Sequence, residues 1–139
     1  MKKKINVSAA IVVDNGEILI AQRNREKTAG LMWEFPGGKI EDGETIEQSL
    51  VREFKEELNM DIKVGKFFKT AEYDYDFGYI TLHVYFAKTL SGRNVNLTAH
   101  EKIAWIRPRQ FNEYDIAAAD VIVVRELLER LRNNSLSLS

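Results

Sequence analysis

Glu53, Glu56 and Glu57 crowd one short stretch of this chain, with Arg52 directly before them. Ile46, Leu50, Phe54 and Leu58 recur every four residues through the same stretch, which predicts a helix with one apolar face. At about 100° per residue, Glu53 and Glu57 fall beside that face and Glu56 lies one step further round. Three carboxylates sharing an arc repel one another unless a cation sits among them. Oxygen donors at that density suit a hard ion, Mg²⁺ or Mn²⁺. A solvated acidic helix face would carry the same residues without any ion. Thr45, followed three residues later by Gln48, marks where the helix starts: a hydroxyl cap and a side chain that reaches back to it.

The spacing beyond the acids narrows the choice. Gly38, Glu44, Arg52-Glu53, Glu56-Glu57 and the apolar residues between them resemble the box of the Nudix hydrolases across residues 38–60. Two positions depart from the family pattern. Phe54 stands where the family carries an aliphatic residue, a packing change on the buried face. Asn59 replaces the glycine after the helix, and Asn is the next best residue for a left-handed C-terminal cap. The resemblance implies metal ligation by Glu53, Glu56 and Glu57 together with the backbone carbonyl of Gly37. It also implies a general base drawn from a box glutamate or from an acid on a distant loop, where Glu101 is the candidate and His100 the substitute. Arg52 is expected to pair with a box carboxylate and fix its rotamer, while Glu44, out of phase with the acid arc, serves structure.

Hydrolysing a phosphoric anhydride brings water to an anion, and a divalent cation addresses the repulsion by neutralising phosphate oxygens and lowering the pKa of water. The run Trp33-Glu34-Phe35-Pro36-Gly37-Gly38-Lys39 and the Asp120-led helix resemble the MutT-like branch of the family, whose members act on CTP or 8-oxo-dGTP. That likeness implies a Mg²⁺-dependent (Mn²⁺ possible) nucleoside triphosphate pyrophosphohydrolase cleaving CTP, dCTP or 8-oxo-dGTP to the monophosphate and pyrophosphate. The alternatives are a Nudix hydrolase of another nucleoside diphosphate derivative such as ADP-ribose, a non-catalytic ligand-binding Nudix module, and a purely structural metal site.

Other elements must bring substrate to these acids. Ile5 to Val13 alternates as a strand with one fully apolar face, Asp14-Asn15-Gly16 is a hairpin turn, and Glu17 to Arg23 returns. Arg23, at that strand's end, is either a solvated cation or a phosphate clamp whose guanidinium fork matches phosphate oxygens. Asp61 to Tyr75 reads as a long strand with Phe67 and Phe68 buried, and Tyr79 to Thr89 as its return. In the return strand Tyr79, Thr81, His83 and Tyr85 form a mixed aromatic and polar face, so Tyr79 and His83 are candidates for the wall of a base pocket. Lys102 to Arg107 is a short strand, Pro108 to Asn112 a helical turn, and Asp120 precedes an amphipathic helix. Asp120 is either that helix's N-cap or a reader of the base edge, accepting from an amino group such as that of cytosine.

Fold class follows from this order: α/β (α+β), a Nudix fold with a mixed β-sheet sandwiched between helices. Residues 1–132 make one domain, and residues 133–139 form a tail expected to fray. Twenty basic and 21 acidic residues leave a formal charge of −1, which argues against a nucleic acid polymer as partner and leaves room for a single nucleotide substrate. The absence of cysteine excludes disulfides and thiolate metal sites. No stretch reaches the roughly 18 apolar residues of a membrane span. The expectation is a cytoplasmic protein, monomer or homodimer, with no membrane partner.

Overall fold

The computed structural model describes residues 2–138, so Met1 of the expected domain and Ser139 of the expected tail lie outside the described residues. Strand β1 (Lys4–Asp14) turns through Asn15-Gly16 into β2 (Glu17–Arg23). Both turn residues take positive φ, 50° and 76°, the geometry that Asn-Gly supplies at little steric cost. The short strands β3 (Trp33–Glu34) and β4 (Gly37–Lys39) follow, then helix α1 (Ile46–Leu58). A long hairpin of β5 (Ile62–Tyr75) and β6 (Gly78–Thr89) leads to β7 (His100–Ile106), a 3₁₀ helix (Pro108–Glu113) and α2 (Ala118–Arg132).

β1 is the spine of the sheet. It runs parallel to β6 along most of its length, and antiparallel to β4 near its start and to β2 at its end. The strand order is β3-β2-β1-β6-β5, with β4 on β1 and β7 on β2. Each face of this mixed sheet is covered by one helix. Ala9 and Ile11 of β1 join Val123, Val124 and Leu127 of α2 in one core. Ala10 and Val12 join Leu50, Phe54 and Leu58 of α1 in the other. Both faces of β1 are therefore apolar at its centre, more than the one apolar face expected, because a strand between two helices has no wet side. The expected sandwich of a mixed sheet between helices is what forms.

The box helix begins and ends as its sequence implies. Thr45 accepts from the Gln48 N–H at 3.1 Å, and the Gln48 side chain accepts from the Thr45 N–H at 2.9 Å. Asn59 closes the helix at φ 51° and ψ 39°, the left-handed cap expected of it. Phe54 fills the core beneath the helix at 1% exposure.

Three expectations need correction. Phe67 is 53% exposed and packs edge-on against Tyr85, whereas Phe68 is buried; adjacent strand residues point to opposite faces, so only one of the pair can enter the core. β7 starts at His100, two residues earlier than expected, which draws His100 and Glu101 from the loop into the sheet. Asp120 lies inside the first turn of α2, whose N-cap is Ala117 without a side-chain bond, so Asp120 is not the cap. Beyond α2 the N–H groups of Ser135 and Leu136 donate to the Arg130 carbonyl, and Leu136 and Leu138 pack against the core on the α2 side. No described helix is long and apolar enough to cross a membrane.

Candidate active site

α1 meets the sheet through β4, and the glycines there set the distance. A Cβ on Gly38 would stand 2.3 Å from the carboxyl carbon of Glu53, and one on Gly37 would stand 1.9 Å from the Ser8 carbonyl oxygen. Only glycine lets the loop pass between β1 and the acid helix. Beneath it, the buried Ser8 hydroxyl donates to the Gly38 carbonyl at 3.2 Å and shares a 2.9 Å hydrogen bond with Ser49 of α1. Strand, loop and helix are thus tied at one point.

Arg52 organises the carboxylates. Its guanidinium forks onto Glu44, and Nη1 reaches Glu53 at 2.8 Å and Glu56 at 3.2 Å, while Nη2 donates to the Lys39 carbonyl at 3.1 Å. The expected pairing of Arg52 with a box carboxylate is present, and Glu44, expected only to serve structure, takes the fork of that guanidinium. Glu53 and Glu57 line a cleft of about 600 Å³, together with Gly37 and Gly38. The Glu56 side chain is 61% exposed and turned toward Arg52. Burial raises the pKa of Glu53 above the usual carboxylate range, outweighing the Arg52 guanidinium beside it. Burial first, and then the Glu53 charge, pushes Glu57 up to about 7.

The donor set fits a divalent ion. Gly37, Glu53 and Glu57 offer oxygen only, and burial, the first cause of the raised pKa of both carboxyls, disfavours their charged forms until a cation binds. Among the described residues no three acidic or imidazole side chains converge into a ready-made cage.

The cleft runs from these acids past a second group of charges to an apolar end. Glu34 divides its two oxygens between Arg23 Nη1 at 2.9 Å and His100 Nε2 at 3.0 Å. Arg23 also donates from Nε to the Thr28 carbonyl at 2.8 Å, so it lines the cleft already oriented instead of waving in solvent. At the far end Asp120 is buried, with Oδ1 accepting from the Phe35 N–H at 3.0 Å. Burial and the nearby Glu34 carboxylate raise its pKa. Ile80, Leu82, Tyr75 and Phe77 complete this end.

The structure brings Arg23, Gly37, Glu53, Glu57 and Asp120 to one cleft, with Arg52 behind it. It does not bring Tyr79 or His83 there. Tyr79 donates to Glu72, and His83 bonds Asn6 at 3.0 Å, both outside the cleft lining. The face of β6 that enters the cleft is the apolar one, Ile80 and Leu82, because that face continues the α2-side core. Glu101 accepts from the backbone and side chain of Arg25 at 3.3 and 3.4 Å and does not line the cleft. Sequence reasoning missed Glu34. The signal was the alternation Trp33-Glu34-Phe35, which turns one polar side chain away from two buried aromatics.

The sequence pattern of the family described as the NUDIX domain matches residues 2–128 of this chain. The chain belongs to the Nudix family. Nudix hydrolases act on phosphoric anhydride bonds and are generally dependent on a divalent metal. Within the family the chain is MutT-like. It is 34% identical over 119 residues to the CTP pyrophosphohydrolase of Escherichia coli (strain K12), covering 86% of this chain and 87% of that one. It is 42% identical over 82 residues to the 8-oxo-dGTP diphosphatase of Proteus vulgaris, covering 58% of this chain and 73% of that one. Its fold is similar to the solution structure of the E. coli ORF135 protein, with a TM-score of 0.81 at 29% identity over 98% of this chain and 96% of that one.

Proposed function

We propose that this Nudix hydrolase cleaves a nucleoside triphosphate to the monophosphate and pyrophosphate, with CTP and dCTP ahead of 8-oxo-dGTP. The observation that carries this reading is the build of the cleft beside the box helix. Box acids stand at one end, a buried carboxyl among apolar side chains stands at the other, and an oriented arginine lies between them. Triphosphate, sugar and base are the ligand parts that match those three zones.

Asp120 uses one oxygen on the Phe35 N–H, which leaves the other to face the edge of a base; to accept from an amino group such as that of cytosine it must give up the proton that burial favours in the free protein. Arg23, held by Glu34 and Thr28, presents the rest of its fork to phosphate oxygens. Glu53, Glu57 and the Gly37 carbonyl, with Glu56 swinging from Arg52, would hold Mg²⁺ or Mn²⁺. When bound, the ion neutralises phosphate charge and lowers the pKa of water. Water adds to phosphorus as the P–O bond of the α–β anhydride breaks, separating the monophosphate from pyrophosphate, and the water's proton passes to a carboxylate. A box glutamate is better placed for this than Glu101, which is occupied with Arg25.

The test is a panel of CTP, dCTP, dGTP, 8-oxo-dGTP and ADP-ribose with Mg²⁺, scored separately for pyrophosphate and orthophosphate. Pyrophosphate release with the highest kcat/KM on a cytosine nucleotide is expected. Cleavage of ADP-ribose alone, or orthophosphate as first product, would overturn the reading.

A further inference from the structure

The two-residue turn between β5 and β6 carries Phe77, an apolar residue where a hairpin loop ordinarily takes Gly, Asn or Asp. Its ring is 48% exposed yet lines the cleft. One side is covered by Tyr75, with ring centroids 5.0 Å apart and planes 20° from parallel. Tyr75 is itself fixed, because its hydroxyl accepts from the Ala119 N–H of α2 at 2.9 Å. The turn is fixed too. The Tyr79 N–H donates to the Lys3 carbonyl at 2.8 Å, and a Cβ on Gly78 would come within 3.0 Å of that same oxygen, so the hairpin end lies close against β1. An aromatic ring held in place, stacked on one side and open on the other, stands at the apolar end of a cleft whose inner wall is Ile80 and Leu82.

We infer that Phe77 is a base-binding residue that stacks its open ring face on the nucleobase. This rests on the nucleotide reading above and deepens it. The division of labour is physical. Stacking rewards any flat base, since every base has a π-face, whereas Asp120 deeper in the cleft senses only the base edge. Phe77 therefore supplies affinity for having a base at all, and Asp120 supplies the choice among bases.

The experiment is titration calorimetry of CMP and of ribose 5-phosphate, which lacks the base, in the presence of Mg²⁺, on wild type, Phe77→Ala and Phe77→Trp. Phe77→Ala should weaken CMP about tenfold and leave ribose 5-phosphate unchanged, with the melting temperature unmoved because the side chain is half exposed. Phe77→Trp should match or exceed wild type on CMP. Equal CMP affinity in Phe77→Ala and wild type overturns the inference. So does an equal loss on ribose 5-phosphate, or a wild type that does not prefer CMP to ribose 5-phosphate. Failure of the proposed activity reads out elsewhere, as absence of pyrophosphate release by the wild type.

Discussion

Arg52 and Glu44 are joined twice, Nε to Oε2 at 2.5 Å and Nη2 to Oε1 at 2.9 Å, so that two side chains eight residues apart lock as one planar unit. This fork holds the Glu44 carboxyl down to about 2, well below the ordinary range. It also leaves Nη1 as the only part of the guanidinium for Glu53 and Glu56. Lysine has the charge but not the fork. Arg52→Lys should therefore keep the fold and lower kcat by about tenfold to a hundredfold, the range typical of groups that orient a ligand to metal. Steady-state kinetics with Mg²⁺ titration checks this; wild-type kcat and wild-type Mg²⁺ dependence in the variant would show that the fork does not orient the acids.

Two glycines near the helix start separate sterics from backbone strain. Gly38→Ala would drive a methyl group into the Glu53 carboxyl, displacing the acid that Gly38 cradles. Gly43 has open space around it but sits at φ +82°. Gly43→Ala should lower stability by about 1 kcal/mol and spare kcat, while Gly38→Ala should lower kcat by about a hundredfold. Denaturant unfolding beside kinetics distinguishes them. Equal kinetic loss in both variants would mean the loop, and not the Glu53 contact, is what matters.

Glu57→Gln removes a carboxylate that is half-buried beside Glu53. Its kcat should fall by about a hundredfold or more, since phosphoryl transfer depends on electrostatic stabilisation. Without metal its melting temperature should hold or rise, because a repelling charge is gone. Adding Mg²⁺ should raise the melting temperature of wild type and not of the variant, as expected when the ion binds only the folded, intact site. A Mg²⁺-induced rise of equal size in both proteins would move the ion elsewhere.

Asp120→Asn tests burial through pH. Desolvation and the Glu34 charge raise the folded-state pKa of Asp120 to about 8, from an ordinary 3.8. Between those values the folded chain keeps a proton that the unfolded chain has released. This group's contribution to stability therefore falls as pH rises from about 4 to about 8. Asn carries no such proton, so the melting temperature of Asp120→Asn relative to wild type should climb across that window. A flat difference from pH 5 to pH 8 would contradict it. The same variant should lose roughly 1–3 kcal/mol in kcat/KM on its preferred base and improve a rival relatively, measured on CTP, dCTP, dGTP and 8-oxo-dGTP.

What could be read from the sequence was local. The capping pair Thr45 and Gln48, the turn Asn15-Gly16 and the left-handed Asn59 each depend on the conformational preferences of a few neighbouring residues, and each forms as its residue types imply. The four-residue apolar repeat of α1 placed Glu53 and Glu57 at the edge of the buried face, where both line the cleft. What the tertiary structure decided was which side of each strand meets the cleft. Alternation along β6 separates Ile80 and Leu82 from Tyr79 and His83, yet it cannot say which set faces inward. That choice is made by α2, which packs on the Ile80 side and brings Asp120 with it, leaving His83 to bond Asn6. Glu34, Arg23 and His100 come from three separate strands, and their junction exists only because β2 pairs with both β3 and β7. A periodicity carries information about the next turn of chain, whereas that junction depends on strands paired across the fold.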